Sequence, residues 1–191
     1  MAAYDEFFSN LFGVRLSVRY HQRRRAFFEG IHTVIATLQI VAGSSAFAAV
    51  FGKSEILAAS FAATAALLAA FDLVFGTARR TTMHVRLGQQ FSQLEREMVA
   101  FENDRDVLPD RTLAFQQRRI EIEEREPPKL RIISLLCHNE LVEGHEIYDH
   151  TPIYPIGWVR RWIGHFVDIE VASILAKPTK RQQPQLVPAN S

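Results

Sequence analysis

The sequence predicts an all-α protein: a two-helix transmembrane hairpin with a cytoplasmic helical bundle and a coiled-coil-like extension. Three observations carry this. Residues 31–51 contain no Asp, Glu, Lys or Arg, and residues 56–76 contain only Asp72. A helix needs about 20 residues to cross the ~30 Å hydrocarbon core, and each run is long enough. The join between the runs, Gly52-Lys53-Ser54-Glu55, is too short for anything but an antiparallel turn. A chain of 191 residues offers little core in which to hide two such runs, which weighs against a soluble helical pair.

The overall hydrophobic fraction of 48% resembles that of an ordinary globular protein, because the apolar residues are concentrated in the hairpin. A formal net charge of +1 carries no nucleic-acid-like bias. Cys137 is the one cysteine, so no internal disulfide forms and a reducing compartment fits. The first run is too long for the apolar core of a signal peptide, and a second run follows it, so it is expected to be retained.

Charge sets the orientation. Arg15, Arg19, Arg23, Arg24 and Arg25 precede the first run; Arg79, Arg80 and Arg86 follow the second, with no acid until Glu95. The positive-inside rule then places both termini in the cytoplasm and Lys53 outside. The organisation reads as N-terminal helices over 1–30, the hairpin over 31–78, a cytoplasmic helical region over 79–147, a loop and amphipathic helix over 148–176, and a disordered tail over 177–191.

Within 1–14, Phe7, Phe8, Leu11 and Phe12 make a short amphipathic helix, suited to the membrane interface or to packing on the cytoplasmic domain. Residues 17–29 are basic and contain no Pro, so they are expected to run straight into the first membrane helix, with their arginines at lipid headgroup level. In the second run, Ala58, Ala62, Ala66 and Ala70 repeat at i, i+4. Small residues at that spacing let helix backbones approach closely, inside the hairpin or between copies. Thr33, Thr37, Ser44 and Asp72 are candidates to face a pore. Asp72 lies at the depth of His32, and pairing with His32 or a nearby Arg is favoured over lining a pore mouth, since intramembrane ionisable groups find partners.

Beyond Arg79, the residues Leu87, Phe91, Leu94, Met98 and Phe101 step by 4, 3, 4 and 3, a seam that suits a coiled coil or the next helix of the same chain. Residues 103–110, with Pro109, break it. A helix is expected over 111–125 with Leu113, Phe115, Ile120 and Ile122 apolar, stopped by Pro127-Pro128. Another is expected over 129–142 with Leu130, Ile133, Leu136, Cys137 and Leu141 buried. Residues 156–175 read as a helix whose stripe of Trp158, Trp162, Ile163, Phe166 and Ile169 runs beside Arg160 and Arg161. It suits either the membrane surface or the bundle.

Cys137, His138, Glu140, His145, Glu146, Asp149 and His150 are of types that suit zinc, but their spacing matches no ligand pattern. Neighbours on a helix point ~100° apart, so Cys137 and His138 do not easily share an ion. There is no Gly-rich phosphate loop and no G-x-S-x-G. The expectation is no catalytic residue, no cofactor, no metal and no enzyme.

Several segments resemble the SLATT family of two-transmembrane domains. They are Arg19-Tyr20 with Arg23-Arg24-Arg25, the hairpin end Asp72-Leu73-Val74-Phe75-Gly76, Ile120-Glu121-Ile122-Glu123 before Glu126-Pro127-Pro128, and Cys137-His138-Asn139-Glu140-Leu141. The resemblance covers about 15–147. It implies a membrane effector of bacterial conflict systems, antiphage defence among them, acting by pore formation or membrane disruption. It also implies a sensor or nucleotide-signalling protein encoded nearby. It brings no catalytic residues, and it makes Cys137-His138-Asn139-Glu140 a packing or assembly motif. The expected partners are the lipid bilayer and other copies of the chain, with no nucleic acid. The alternative is a membrane-anchored adaptor that binds a partner through its cytoplasmic helices without conduction. A membrane-tethered metal hydrolase ranks last.

Overall fold

The structure is a computed structural model that describes residues 2–102, 109–148 and 150–179. Among these the chain is helical, apart from one isolated antiparallel bridge between Ile153 and Thr179. The helices are α1 (Ala2–Phe51), α2 (Glu55–Phe75), α3 (Thr77–Val99), α4 (Pro109–Glu123), α5 (Arg131–Gly144), α6 (Trp158–Ile163) and α7 (Ala172–Leu175), with a short 3-10 turn at Glu146–Tyr148. The chain forms two compact units, one of residues 1–20 with 90–191 and one of residues 21–89. Helices α1 and α3 each contribute to both.

In the unit of residues 21–89, α1 and α2 form the antiparallel hairpin. The turn is closed by Ser54 N–H donating to Ala49 O (3.0 Å) and Lys53 N–H to Val50 O (3.1 Å). That is the double bond of a Schellman cap, whose left-handed position usually falls to glycine. Here Lys53 occupies it at φ +56°, while Gly52 lies one residue earlier. Helix α1 turns Ile35 and Ala42 inward, whereas no residue of α2 is buried. Two helices are long and apolar enough to cross a membrane. Gly76, left-handed at φ +58°, separates α2 from α3 with its N–H on Asp72 O (2.9 Å). A side chain is strained in that conformation, so the break falls at Gly76, and α3 starts at Thr77, two residues before the pattern change at Arg79.

The other unit has its own core. Phe7, Leu11 and Val14 of α1, Phe91, Leu94 and Met98 of α3, and Ile132, Ile133, Cys137, Leu141 and Val142 of α5 are all buried. The N-terminal segment is therefore the first turns of one long helix packed into a protein core, and not a separate helix in the membrane interface. Pro109 begins α4 instead of ending a helix, as suits a residue with no N–H to satisfy. The preceding residues 103–108, expected as a break, lie outside the described residues. Of the apolar positions expected on α4, Ile122 is buried and Phe115 half-buried, but Leu113 and Ile120 are exposed.

The helix expected over 156–175 is two short pieces, α6 and α7. The interruption has a local cause. A Cβ on Gly164 would lie 2.6 Å from Ile132 Cγ2, so the chain presses its backbone onto α5 there. Asp168 then accepts from Arg131 N–H (3.0 Å) and Arg131 Nε (3.1 Å), just beyond the last helical bond of that stretch, Val167 N–H to Ile163 O. Of the tail expected to be disordered, 180–191 lie outside the described residues.

Candidate functional site

The candidate site is the hairpin. Asp72, the one acid of the second run, is enclosed by two donors of its own unit. His32 Nδ1 lies 3.1 Å from Asp72 Oδ2, and Thr77 Oγ1 donates to Asp72 Oδ1. Thr77 is buried just after Gly76, so the break between α2 and α3 is what brings its hydroxyl back to the carboxylate. Both carboxylate oxygens are engaged. Of the two kinds of partner expected for Asp72, His32 or an arginine, His32 is the one beside it, with Thr77 as a third member.

Of the alanine ladder, Ala58 is half-buried, whereas Ala62, Ala66 and Ala70 are exposed. The hairpin contact on α2 runs instead through Ala58, Ala65, Leu68 and Asp72, a row rotated away from the ladder. Thr33, Thr37 and Ser44 are exposed on α1. Thr33 Oγ1 donates to Glu29 O and Thr37 Oγ1 to Thr33 O, each at 2.8 Å. Those hydroxyls are satisfied by their own helix, so the face is compatible with an apolar surround.

The seam is filled by the chain itself. Leu87 is buried within the unit of 21–89; Phe91, Leu94 and Met98 are buried within the other. Phe101 is half-buried, with Phe115 at 6.1 Å between ring centroids and the Arg111 guanidinium at 4.6 Å.

The arginines expected at headgroup level divide. Arg25 is exposed and pairs with Glu29, but Arg24 is buried. Arg15, outside that group, is buried too. Arg15 grips Glu102 through Nη1 and Nη2 (2.7 and 2.9 Å), and also reaches Tyr148 Oη (3.0 Å) and Glu95 (3.4 Å). Burial works against its charge, yet the bonds to Glu102 and Tyr148 outweigh it, and the guanidinium is held above its ordinary range. Arg24 lies 4.6 Å over the Phe28 ring, a cation–π contact.

Among the described residues no group of three metal-ligating side chains converges; Asp149 is outside them. Cys137 faces the core, and His138 Nε2 meets Pro152 O at 3.1 Å. Asn139 makes a two-way bond with the Tyr154 backbone, donating from Nδ2 to O (2.6 Å) and accepting from N–H (3.0 Å). The segment thus fastens the loop at 152–154 to α5, a packing role.

Sequence reasoning passed over one more pair. His21 and His84, both buried, approach Nδ1 to Nδ1 at 2.9 Å, so one nitrogen donates and the other accepts. Phe28 stacks on His84 with centroids 5.7 Å apart. The two histidines are 63 positions apart, and no local pattern marks the pair. Comparison with protein-family models, with curated proteins and with solved structures gives no match.

Proposed function

We propose that the chain is a two-pass inner-membrane effector of the SLATT kind, which assembles into oligomers and permeabilises the bilayer when a separate sensor triggers it. Both termini and the helical unit of residues 1–20 and 90–191 lie in the cytoplasm, and Lys53 lies outside. The observation that carries the reading is the exposure of Ala62, Ala66 and Ala70 on a helix with no buried residue. A helix apolar on every face is a core helix or a membrane span, and α2 is not covered by a core. Its small-residue face points away from the hairpin contact and leaves room for a second copy. Two helices cannot enclose a water path; several copies can, with Thr33, Thr37 and Ser44 available to line it.

The test is Ala62→Leu/Ala66→Leu. Hydrophobicity stays high, so insertion is retained. The added bulk sits where a neighbouring helix must pack, at a cost of about 1–3 kcal/mol. Leakage from liposomes should be lost at equal membrane abundance. Full leakage by the variant would remove the ladder from the mechanism. Partner binding by a wild-type protein that never leaks would favour the adaptor. Orientation is read separately. A Ser54→Cys variant in a Cys137→Ala background should react with an impermeant thiol reagent added to intact cells, and a Ser191→Cys variant should not.

A further inference from the structure

Helix α6 reads Trp158-Val159-Arg160-Arg161-Trp162-Ile163, and none of its residues is buried. Trp158 is 75% exposed and Trp162 69%. Water-facing tryptophans on this scale are unusual for a helix seated on a folded unit, because each offers a large apolar area. The helix is nonetheless fixed in place. Gly164 presses on Ile132, and the backbone and side chain of Arg131 bind Asp168. At 100° per residue, Trp158, Trp162, Val159 and Ile163 fill an arc of roughly 140°, with Arg160 and Arg161 on the opposite side. Residues 157–167 contain no Asp or Glu. The acids that follow, Asp168 and Glu170, lie 3.1 and 4.0 Å from the Arg131 guanidinium.

We propose that α6 is a docking surface for anionic lipid, lying in the headgroup region with its tryptophans down and its arginines on phosphates. Tryptophan is the residue of membrane–water interfaces, its ring apolar and its N–H wet. Arginine binds phosphate through its planar fork and is drawn to anionic leaflets. A patch that is basic, aromatic and free of acid is complementary to a surface apolar beneath and negative above. This assignment goes beyond permeabilisation and does not require it.

The chain's two tryptophans are Trp158 and Trp162, so all its tryptophan emission reports on α6. Full-length protein is reconstituted into vesicles of phosphatidylcholine alone or with phosphatidylglycerol, each doped with lipids brominated on the acyl chain. In phosphatidylglycerol vesicles the emission should shift to the blue and be quenched by bromine. Without the anionic lipid, or in Arg160→Glu/Arg161→Glu with unchanged far-UV helicity, the quenching should collapse. Two arginines at an anionic surface change partition by about thirtyfold. Emission that stays unquenched by bromine and open to acrylamide in every vesicle would overturn the proposal and leave the patch to a protein partner. Equal quenching with and without phosphatidylglycerol, or undiminished quenching in the charge-reversed variant, would overturn it too. Ser54→Cys labelling and leakage report on the hairpin independently, so failure of one reading is not failure of the other.

Discussion

Arg15 holds both carboxylate oxygens of Glu102, at 2.7 and 2.9 Å, across 87 residues of chain. The pair joins the first turns of α1 to the end of α3 inside the unit of residues 1–20 and 90–191. A fork on a carboxylate is the strongest common ion-pair geometry, and here it is largely withdrawn from water. An arginine that the sequence offers only as one of five charges before the first apolar run is a structural bolt.

Removal of one partner from a buried pair leaves the other charge uncompensated. Arg15→Ala should therefore destabilise this unit by about 3–5 kcal/mol, and Arg15→Lys should recover only part of that, since lysine lacks the fork. Pulse proteolysis in urea measures both. A loss below about 1 kcal/mol for Arg15→Ala would place the network with ordinary surface pairs.

Tyr148 gives the unit an alkaline limit. Burial raises its hydroxyl above the ordinary value of 10.0, against the lowering effect of the Arg15 hydrogen bond and charge. The folded state thus favours the neutral phenol. Its contribution is complete below pH 10.0 and is lost as the pH climbs through the raised folded value. Between pH 10.0 and that value, the urea midpoint of the wild type should fall more steeply than that of Tyr148→Phe. Parallel profiles would remove Tyr148 as the cause.

Phe91 and Leu94 sit in the core of the same unit, each fully buried. Phe91→Asp/Leu94→Asp places carboxylates where no water reaches, at a cost of several kcal/mol. The expected outcome is protease sensitivity across 90–148 in a protein whose hairpin still inserts. Wild-type protease resistance with loss of cross-linked oligomers would instead show the seam to be an interface between copies.

His32 and Asp72 should be energetically coupled. Asp72→Ala, His32→Ala and the double variant form a cycle expected to give about 0.5–3 kcal/mol of interaction in the hairpin's unfolding. Asp72→Asn retains an acceptor for Thr77 and should cost less than Asp72→Ala. Additive effects within about 0.5 kcal/mol would mean that the contact at 3.1 Å carries no coupling.

The hairpin and the general course of the helices were legible in the sequence, because they rest on local properties: apolar length, a four-residue join and the spacing of Leu87, Phe91, Leu94 and Met98. Asp72 with His32 was legible as well, since two runs of equal length joined by a short turn bring those depths together. Other features depend on residues far apart in the chain, and no periodicity encodes them. Arg15 is diverted from its arginine cluster by Glu102 and Tyr148. His21 meets His84 across 63 positions of sequence. Asn139 is a helix residue like its neighbours until Tyr154 lies beside it. The stripe from Trp158 to Ile169 has a helical period, yet it is cut at Gly164, where the backbone meets Ile132 and Asp168 beyond it is held by Arg131. Local composition determines which segments are apolar and helical. The tertiary structure alone decides which face each helix turns inward, because burial is a property of what packs against a side chain and not of the side chain itself.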